Sequence, residues 1–279
     1  MTPSGERAAY WRVPGLALEV MDARFEDYAY PMHAHDTYSF GVTDAGAQSF
    51  VCRGERHVSA VGLVMAFNPD EPHDGQSAVD HGYRYRMLHL GEDLVRDVLA
   101  DAAPGSAGLP LFDTPVVDNP ALARAVARLH TAVVENAPRL VIDERLTAAV
   151  LALTRDAATR PAHLPDQQSR VDLAAMARAR GLLRQRFAEN IAADELARVA
   201  GCSRFALYRG FRAAYGFAPS DYQRDVRLRR ARALLAKGMA PSTAAAEAGF
   251  ADQAHLTRWF SRTYGVTPAA YQTAPQQVP

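Results

Sequence analysis

The stretch Ala248-Gly249-Phe250-Ala251-Asp252-Gln253-Ala254-His255-Leu256-Thr257-Arg258-Trp259-Phe260, closed by Tyr264-Gly265-Val266-Thr267-Pro268, decides how this chain is read, because it occurs twice. The earlier copy begins at Leu196-Ala197-Arg198-Val199-Ala200-Gly201-Cys202-Ser203 and closes at Gly216-Phe217-Ala218-Pro219. At a constant offset of 49, Leu207, Arg209, Phe211, Tyr215, Gly216, Pro219 and Tyr222 match Leu256, Arg258, Phe260, Tyr264, Gly265, Pro268 and Tyr271. Each copy reads as a short helix, a turn with glycine, a second helix with a polar start, and a Gly-x-x-Pro stop. Two helix-turn-helix units in tandem are the arrangement of a DNA reader.

In each unit the second helix has two faces. Leu207 and Phe211, like Leu256 and Phe260, lie four apart and lock the helix to its partner. The remaining positions supply the DNA-contacting candidates. In the first unit these are Arg204, Phe205, Tyr208, Arg209 and Arg212, and in the second Gln253, His255, Thr257 and Arg258. Arginine forks to guanine O6 and N7, and glutamine pairs with adenine. Arg209 and Arg258 sit beside the apolar ridge, so packing or an ion pair is the competing role. Ser203 and Asp252 read as helix N-caps. A long helix, Pro219 to Lys237, joins the units and stops at Gly238.

The charge distribution points the same way. The net charge is zero, but residues 1–168 hold 14 Lys+Arg against 23 Asp+Glu, and residues 169–279 hold 17 against 8. A basic half is the electrostatic footprint of a polyanion binder, a solvated helical surface being the alternative. Every basic residue except Lys237 is arginine. Cys52 and Cys202 have neither metal nor redox spacing and read as reduced thiols of a cytoplasmic protein. Met1–Val20 lacks the apolar core of a signal peptide, and no apolar run reaches the roughly 18 residues of a membrane helix, so no membrane partner is expected.

The front half has a different texture. Tyr38–Val42, Ser49–Arg53, Gly62–Phe67 and Tyr83–Leu90 are short runs rich in β-branched and aromatic residues. Asp44-Ala45-Gly46, Arg53-Gly54-Glu55 and Asn68-Pro69-Asp70 punctuate them as turns. Such spacing predicts a barrel or jelly roll rather than βαβ units. Further on, Leu122, Val126, Leu129 and Val133 form one helical stripe, and Leu146, Ala149, Val150 and Leu153 another, with Pro138 between them. This helical hairpin either packs on the barrel or forms a dimer interface. The expected fold class is α+β and multidomain: a barrel over about 10–95, a helical dimerisation hairpin over 96–157, a linker over 158–168, and an all-α DNA-binding domain over 169–272.

The stretch Ala248–Phe260 through Pro268 resembles the signature of the AraC/XylS family of transcription regulators, and residues 170–272 fit its pattern. That resemblance implies two recognition helices held roughly one DNA turn apart, double-stranded DNA and RNA polymerase as partners, a homodimer, and an activator or repressor role. Ala254 and Ser261 replace the family's usual serine and lysine. The segments Pro31-Met32-His33-Ala34-His35-Asp36 and Asn68-Pro69-Asp70-Glu71-Pro72-His73 resemble the cupin-type sensor domain of the same family. His33 and His35, two apart, face the same side of a strand. The resemblance implies that such histidines hold a divalent metal with a carboxylate that follows the second after three or four intervening residues. Here those positions are Ser39 and Phe40, and Glu71 is the substitute, giving His33, His35, His73 and Glu71 as the metal set.

Three readings of the histidines stay open: a pocket for a small effector, ligands of a metal such as Zn²⁺ or Ni²⁺, or structural residues at a barrel mouth. The effector set is His33, His35, Tyr38, Arg53, Glu71, His73 and Tyr85, with His89 on the Tyr85 strand face. The functional expectation is a regulator responding to a small effector, with no catalytic step. The alternative is a metal-dependent cupin enzyme fused to a DNA-binding domain.

Overall fold

A computed structural model describes residues 6–102, 108–159, 172–264 and 266–273. It divides into two units, residues 1–168 and 169–279. From residue 160 onward the expected linker lies outside the described residues.

The first unit opens with strands β1 (Arg7–Arg12), β2 (Leu18–Phe25), β3 (Tyr30–His33), β4 (Tyr38–Cys52), β5 (Glu55–Ala60), β6 (Val64–Phe67), β7 (His73–Ser77) and β8 (Tyr83–Leu90). Helix α1 (Glu92–Ala102), strand β9 (Val116–Val117) and helices α2 (Pro120–Val134) and α3 (Arg139–Asp156) follow. The strands run β1-β2-β8-β4-β6-β9, with β5 and β7 on the second half of β4 and β3 on β7. All pairings are antiparallel, as the short punctuated strands predict.

β4 is the spine of this unit. Its first half pairs with β8 and β6, and its second half with β5 and β7. The expected turn at Asp44-Ala45-Gly46 is instead a bend within one strand of 15 residues, marked by a register shift between Thr43 and Ala45. Gly46 is needed there: its φ is +66°, and a Cβ would stand 2.0 Å from the Gly82 carbonyl oxygen.

Strand alternation sorts side chains between two cores. Met21, Ala23, Phe25, Phe50, Met65, Phe67, Tyr83, Tyr85 and Met87 fill the inside of the barrel. Val20, Tyr38, Phe40, Val42, Val64, Ala66, Leu88 and Leu90 face the other way, against the three helices. The expected stripes Leu122, Val126, Leu129, Val133 and Leu146, Ala149, Val150, Leu153 belong to that second core. Leu129 and Leu146 are 0% and 2% exposed within a single chain. The stripes are therefore core, where each buried leucine contributes about 1.5–3 kcal/mol. α2 starts as its sequence dictates, with Asn119 accepting from the Ala121 and Leu122 amides and Pro120 in the first turn.

The second unit is helical: α4 (Leu173–Gln185), α5 (Ala193–Ala200), α6 (Arg204–Tyr215), α7 (Pro219–Ala236), α8 (Pro241–Glu247), α9 (Gln253–Tyr264) and α10 (Pro268–Thr273). The pairs α5–α6 and α8–α9 are the two repeats, and α7 joins them. Gly201 and Gly216 close α5 and α6 in the left-handed conformation. α7 is tied inward by two buried side chains. Gln223 Nε2 donates to the carbonyls of Phe187 and Glu189 at 3.1 and 2.9 Å, and Arg227 donates to the same two at 2.6 and 2.8 Å. Burial lowers the Arg227 pKa to about 10. On the other side of this loop, Gly249 lies against Ala188 so closely that a Cβ would come within 2.5 Å of the Ala188 Cα.

Candidate DNA-reading surface and effector cavity

Both second helices begin with a capped, polar turn. Ser203 Oγ accepts from the Ala206 amide at 3.2 Å, and Asp252 Oδ1 from the His255 amide at 2.6 Å. Below the caps, Leu207, Phe211, Leu256 and Phe260 are fully buried, as the repeat requires. This fixes which sides of α6 and α9 face outward.

The outward sides differ. On α9, Gln253 and Arg258 are exposed, and His255 and Thr257 half-buried. Burial, and then the nearby Arg258, lower the His255 pKa. Trp259 meets two cations, with the Arg224 guanidinium of α7 3.7 Å from its ring centre and that of Arg262 at 5.5 Å. On α6, Arg212 is exposed, whereas Arg204, Phe205, Tyr208 and Arg209 are half-buried. Arg204 reaches back to Asp194 of α5 at 3.3 Å with its side chain 17% exposed. Arg209 lies over the Phe205 ring at 5.3 Å, and its Nη1 is buried. The first helix thus presents an arginine–aromatic layer, and the second a row of polar groups of which Gln253 and Arg258 are exposed.

The barrel encloses a cavity of about 420 Å³. Its lining includes the buried apolar side chains Met21, Phe50, Met65, Phe67 and Met87. Into it converge His33, His35, His73 and His89, with Gln48, Tyr30 and Tyr85. Tyr10, Arg12, Glu19, Asp36 and Asp74 complete the wall. His33 closes β3, His73 opens β7, and the two pair across the strands. This is how segments nearly forty residues apart meet. The ring nitrogens of His33, His35 and His73 lie within 4.8 Å of one another.

The tautomers follow from the neighbours. His33 Nδ1 is 2.8 Å from the Pro31 carbonyl and His73 Nδ1 2.9 Å from the Glu71 carbonyl. A carbonyl only accepts, so each Nδ1 carries the proton and each Nε2 keeps its lone pair. The His73 ring also stacks on Phe67, with centres 4.0 Å apart. Burial first, then the neighbouring imidazoles, lower the pKa of His73 and of His89 to about 4 and shift His35 in the same direction. Tyr85 is raised well above its ordinary value by burial and then by Tyr30.

Three of the expected cavity residues lie elsewhere. Tyr38 points into the helical core and donates to the Pro110 carbonyl at 2.8 Å. Burial raises its pKa to about 12. Arg53 sits on the β4–β5 turn, pairs with Glu71, and donates to the Phe112 and Asp113 carbonyls at 2.6 and 2.5 Å. The Glu71 carboxylate also accepts from the Asn68 amide at 2.9 Å and its Nδ2 at 3.1 Å. It is spent on holding that loop and is not the substitute for the missing carboxylate: among the described residues the group that comes together is His33, His35 and His73.

Comparison with known proteins follows the same division. An AraC-like ligand binding domain matches residues 15–151, and a helix-turn-helix domain matches residues 196–274. The chain belongs to the AraC family of transcriptional regulators. It is 27% identical over 245 residues to the uncharacterized HTH-type transcriptional regulator YbfI of Bacillus subtilis, covering 87% of each chain. It is 30% identical over 212 residues to the HTH-type transcriptional regulator RipA of Corynebacterium glutamicum, covering 72% of this chain and 60% of RipA. Among solved structures, ToxT from Vibrio cholerae aligns over 94% of this chain and 99% of its own at 12% identity and a TM-score of 0.38. This AraC-type regulator therefore has a ligand-binding front domain and a DNA-binding rear domain. Among its described residues no helix is long and apolar enough to cross a membrane.

The divalent metal implied by the cupin resemblance can be tested on the residues present. Imidazole nitrogens are the donor set of a borderline first-row ion, and backbone carbonyls orient two of the three rings, His33 and His73, so that Nε2 is presented. His33, His35 and His73 fit it. Glu71 does not take part.

Proposed function

We propose that this regulator binds one DNA site through α6 and α9 together, as a non-enzymatic, cytoplasmic homodimer that activates transcription through RNA polymerase. We propose also that a small effector in the barrel cavity shifts the population of its DNA-binding-competent state. The observation that carries the reading is the pair of capped second helices, each locked by a buried Leu–Phe ridge, in the half of the chain that holds the positive charge. Gln253, His255, Thr257 and Arg258 serve one half of the site, and Arg204, Phe205, Tyr208, Arg209 and Arg212 the other. Because the hairpin stripes are core, the homodimer uses another surface. The effector set narrows to His33, His35, His73, Tyr85 and His89 around the methionine-lined floor. His33, His35 and His73 hold a divalent ion, which supplies a Lewis-acidic anchor for a donor atom of the effector when bound.

Sequencing the DNA retained by the purified regulator tests the first part. One enriched motif with two half-sites is expected, with affinity falling steeply with salt as phosphate-bound counterions are released. Retention of DNA without sequence enrichment would defeat it.

A further inference from the structure

The three converging histidines leave a metal ion one protein donor short of a closed set; Asp36, in the same wall, lies outside the group whose ligand atoms come together, and three other nearby carboxylates are committed elsewhere. Glu71 is held by Arg53 and Asn68. Glu19 pairs with Arg12 at 2.5 Å. Asp74 accepts from the Val51 amide at 2.5 Å. The remaining basic donor in the cavity wall is His89 on β8. Its ring centre lies 4.8 Å from that of His35, a spacing like those inside the triad (5.0 Å for His33–His35, 4.6 Å for His33–His73 and 5.4 Å for His35–His73), while the set whose ligand atoms lie within 4.8 Å of one another stops at the triad.

Ser39 explains how His89 is aimed. It faces His89 across the β4–β8 pairing and is fully buried. Its Oγ lies 2.9 Å from His89 Nδ1. A serine hydroxyl can donate or accept; with Ser39 accepting the Nδ1 proton, the arrangement that ligation through Nε2 requires, Nε2 keeps its lone pair. Ser39 also stands at one of the two positions where the cupin resemblance implies a carboxylate.

We infer that His89, positioned by Ser39, is the fourth protein ligand of the ion held by His33, His35 and His73, making an all-imidazole site. This rests on the metal reading above and deepens it. Four neutral donors leave the double positive charge of the ion uncompensated. Such a site selects Zn²⁺, Co²⁺, Ni²⁺ or Cu²⁺ over Mg²⁺ or Mn²⁺, which favour oxygen donors.

The test is titration of the full-length, chelator-treated protein with Co²⁺, followed by visible absorption. Wild type is expected to bind one Co²⁺ per chain. His89→Gln is expected to weaken binding at least tenfold and to change the d–d bands, and Ser39→Ala to weaken it about 10–100-fold, the usual effect of removing a partner of a ligating histidine. If His89→Gln fails to fold, Ser39→Ala decides alone. Wild-type affinity and spectrum in both variants, with binding lost in His33→Ala, overturn the role of His89 and leave the three-histidine site standing. No Co²⁺ bound by wild type, or binding undiminished in His33→Ala, overturns the metal reading and this inference with it.

Discussion

Replacing Gly249 with alanine places a methyl carbon 2.5 Å from the Ala188 Cα and 2.6 Å from its carbonyl oxygen, at a φ of +79°. Two penalties combine. Left-handed backbone costs an alanine about 1–2 kcal/mol. The overlap is with main chain, which cannot swing aside, and forcing it apart costs a further ~1–3 kcal/mol. Gly238 provides the control. Its φ is +83°, but an added Cβ meets nothing within 4 Å, so Gly238→Ala loses only the conformational part. The two tryptophans are Trp11 and Trp259, so in a Trp11→Phe background urea unfolding followed by fluorescence reports the DNA-binding unit. With an m-value of about 1.5 kcal/mol/M, Gly249→Ala is expected to lower the midpoint by about 2 M and Gly238→Ala by about 1 M or less. Equal shifts in the two variants would refute the close approach of the second repeat's turn to the Phe187–Glu189 loop.

The same loop gives a second expectation. Arg227→Leu removes two charge-assisted hydrogen bonds and should destabilise the rear unit by about 2–4 kcal/mol, seen in the same assay; a loss below about 0.5 kcal/mol would mean that Gln223 suffices. Leu129→Asp should unfold the front unit, losing its near-UV circular dichroism; a folded protein that merely changes sedimentation coefficient would contradict the core assignment. Gln253→Ala and Arg258→Ala should each cost about 1–3 kcal/mol of discrimination in one half-site only, measured by fluorescence anisotropy on single-base variants; uniform weakening on all sequences would reduce them to phosphate contacts. His35, His73, His89 and His130 are all held below the ordinary histidine value, in each case chiefly by burial. The unfolded chain therefore takes up protons that the folded chain refuses. Stability of the metal-free front unit should fall as pH drops from about 6.5 toward about 4, by at most about 1.4 kcal/mol per pH unit for each histidine. A pH-independent urea midpoint across that window would rule this out.

The repeat was legible because its signals are local: capping residues, a Leu–Phe pair four apart, glycine and proline stops. The same is true of Pro120–Val134, where Asn119, Pro120 and a clean apolar stripe mark one helix. The barrel was harder. Most of the first half of β4 is buried on both faces, so Tyr38-Ser39-Phe40-Gly41-Val42 lacks the polar alternation that tells inside from outside. Tyr38 reads as a cavity residue, yet Ser39, one peptide away, is the side chain that bonds to a cavity residue, His89. Glu71 misled for another reason. Its partner Arg53 lies 18 residues away in the chain, and no spacing rule connects them. α1 had a readable signal in Leu94, Val95, Val98 and Leu99, all buried on one side. His89 was reachable through its parity with Tyr85, but its aim at His35 depends on Ser39, which only the β4–β8 register discloses.

That register makes β4 and β8 a party wall between two rooms. Ser39 and His89 furnish the side toward the cavity, while Phe40 and Leu88, each one residue along the same backbones, bear on the helices α1 to α3. A strand advances only about 3.3 Å per residue, so whatever seats itself against the imidazoles is a single peptide from the packing that holds the helices. No chain of relaying side chains has to be built between them. A shift of either strand that accommodates a guest is already a shift of Phe40 and Leu88, and close-packed neighbours do not absorb such shifts by compression. The helices and the guest read the position of one piece of backbone from opposite sides.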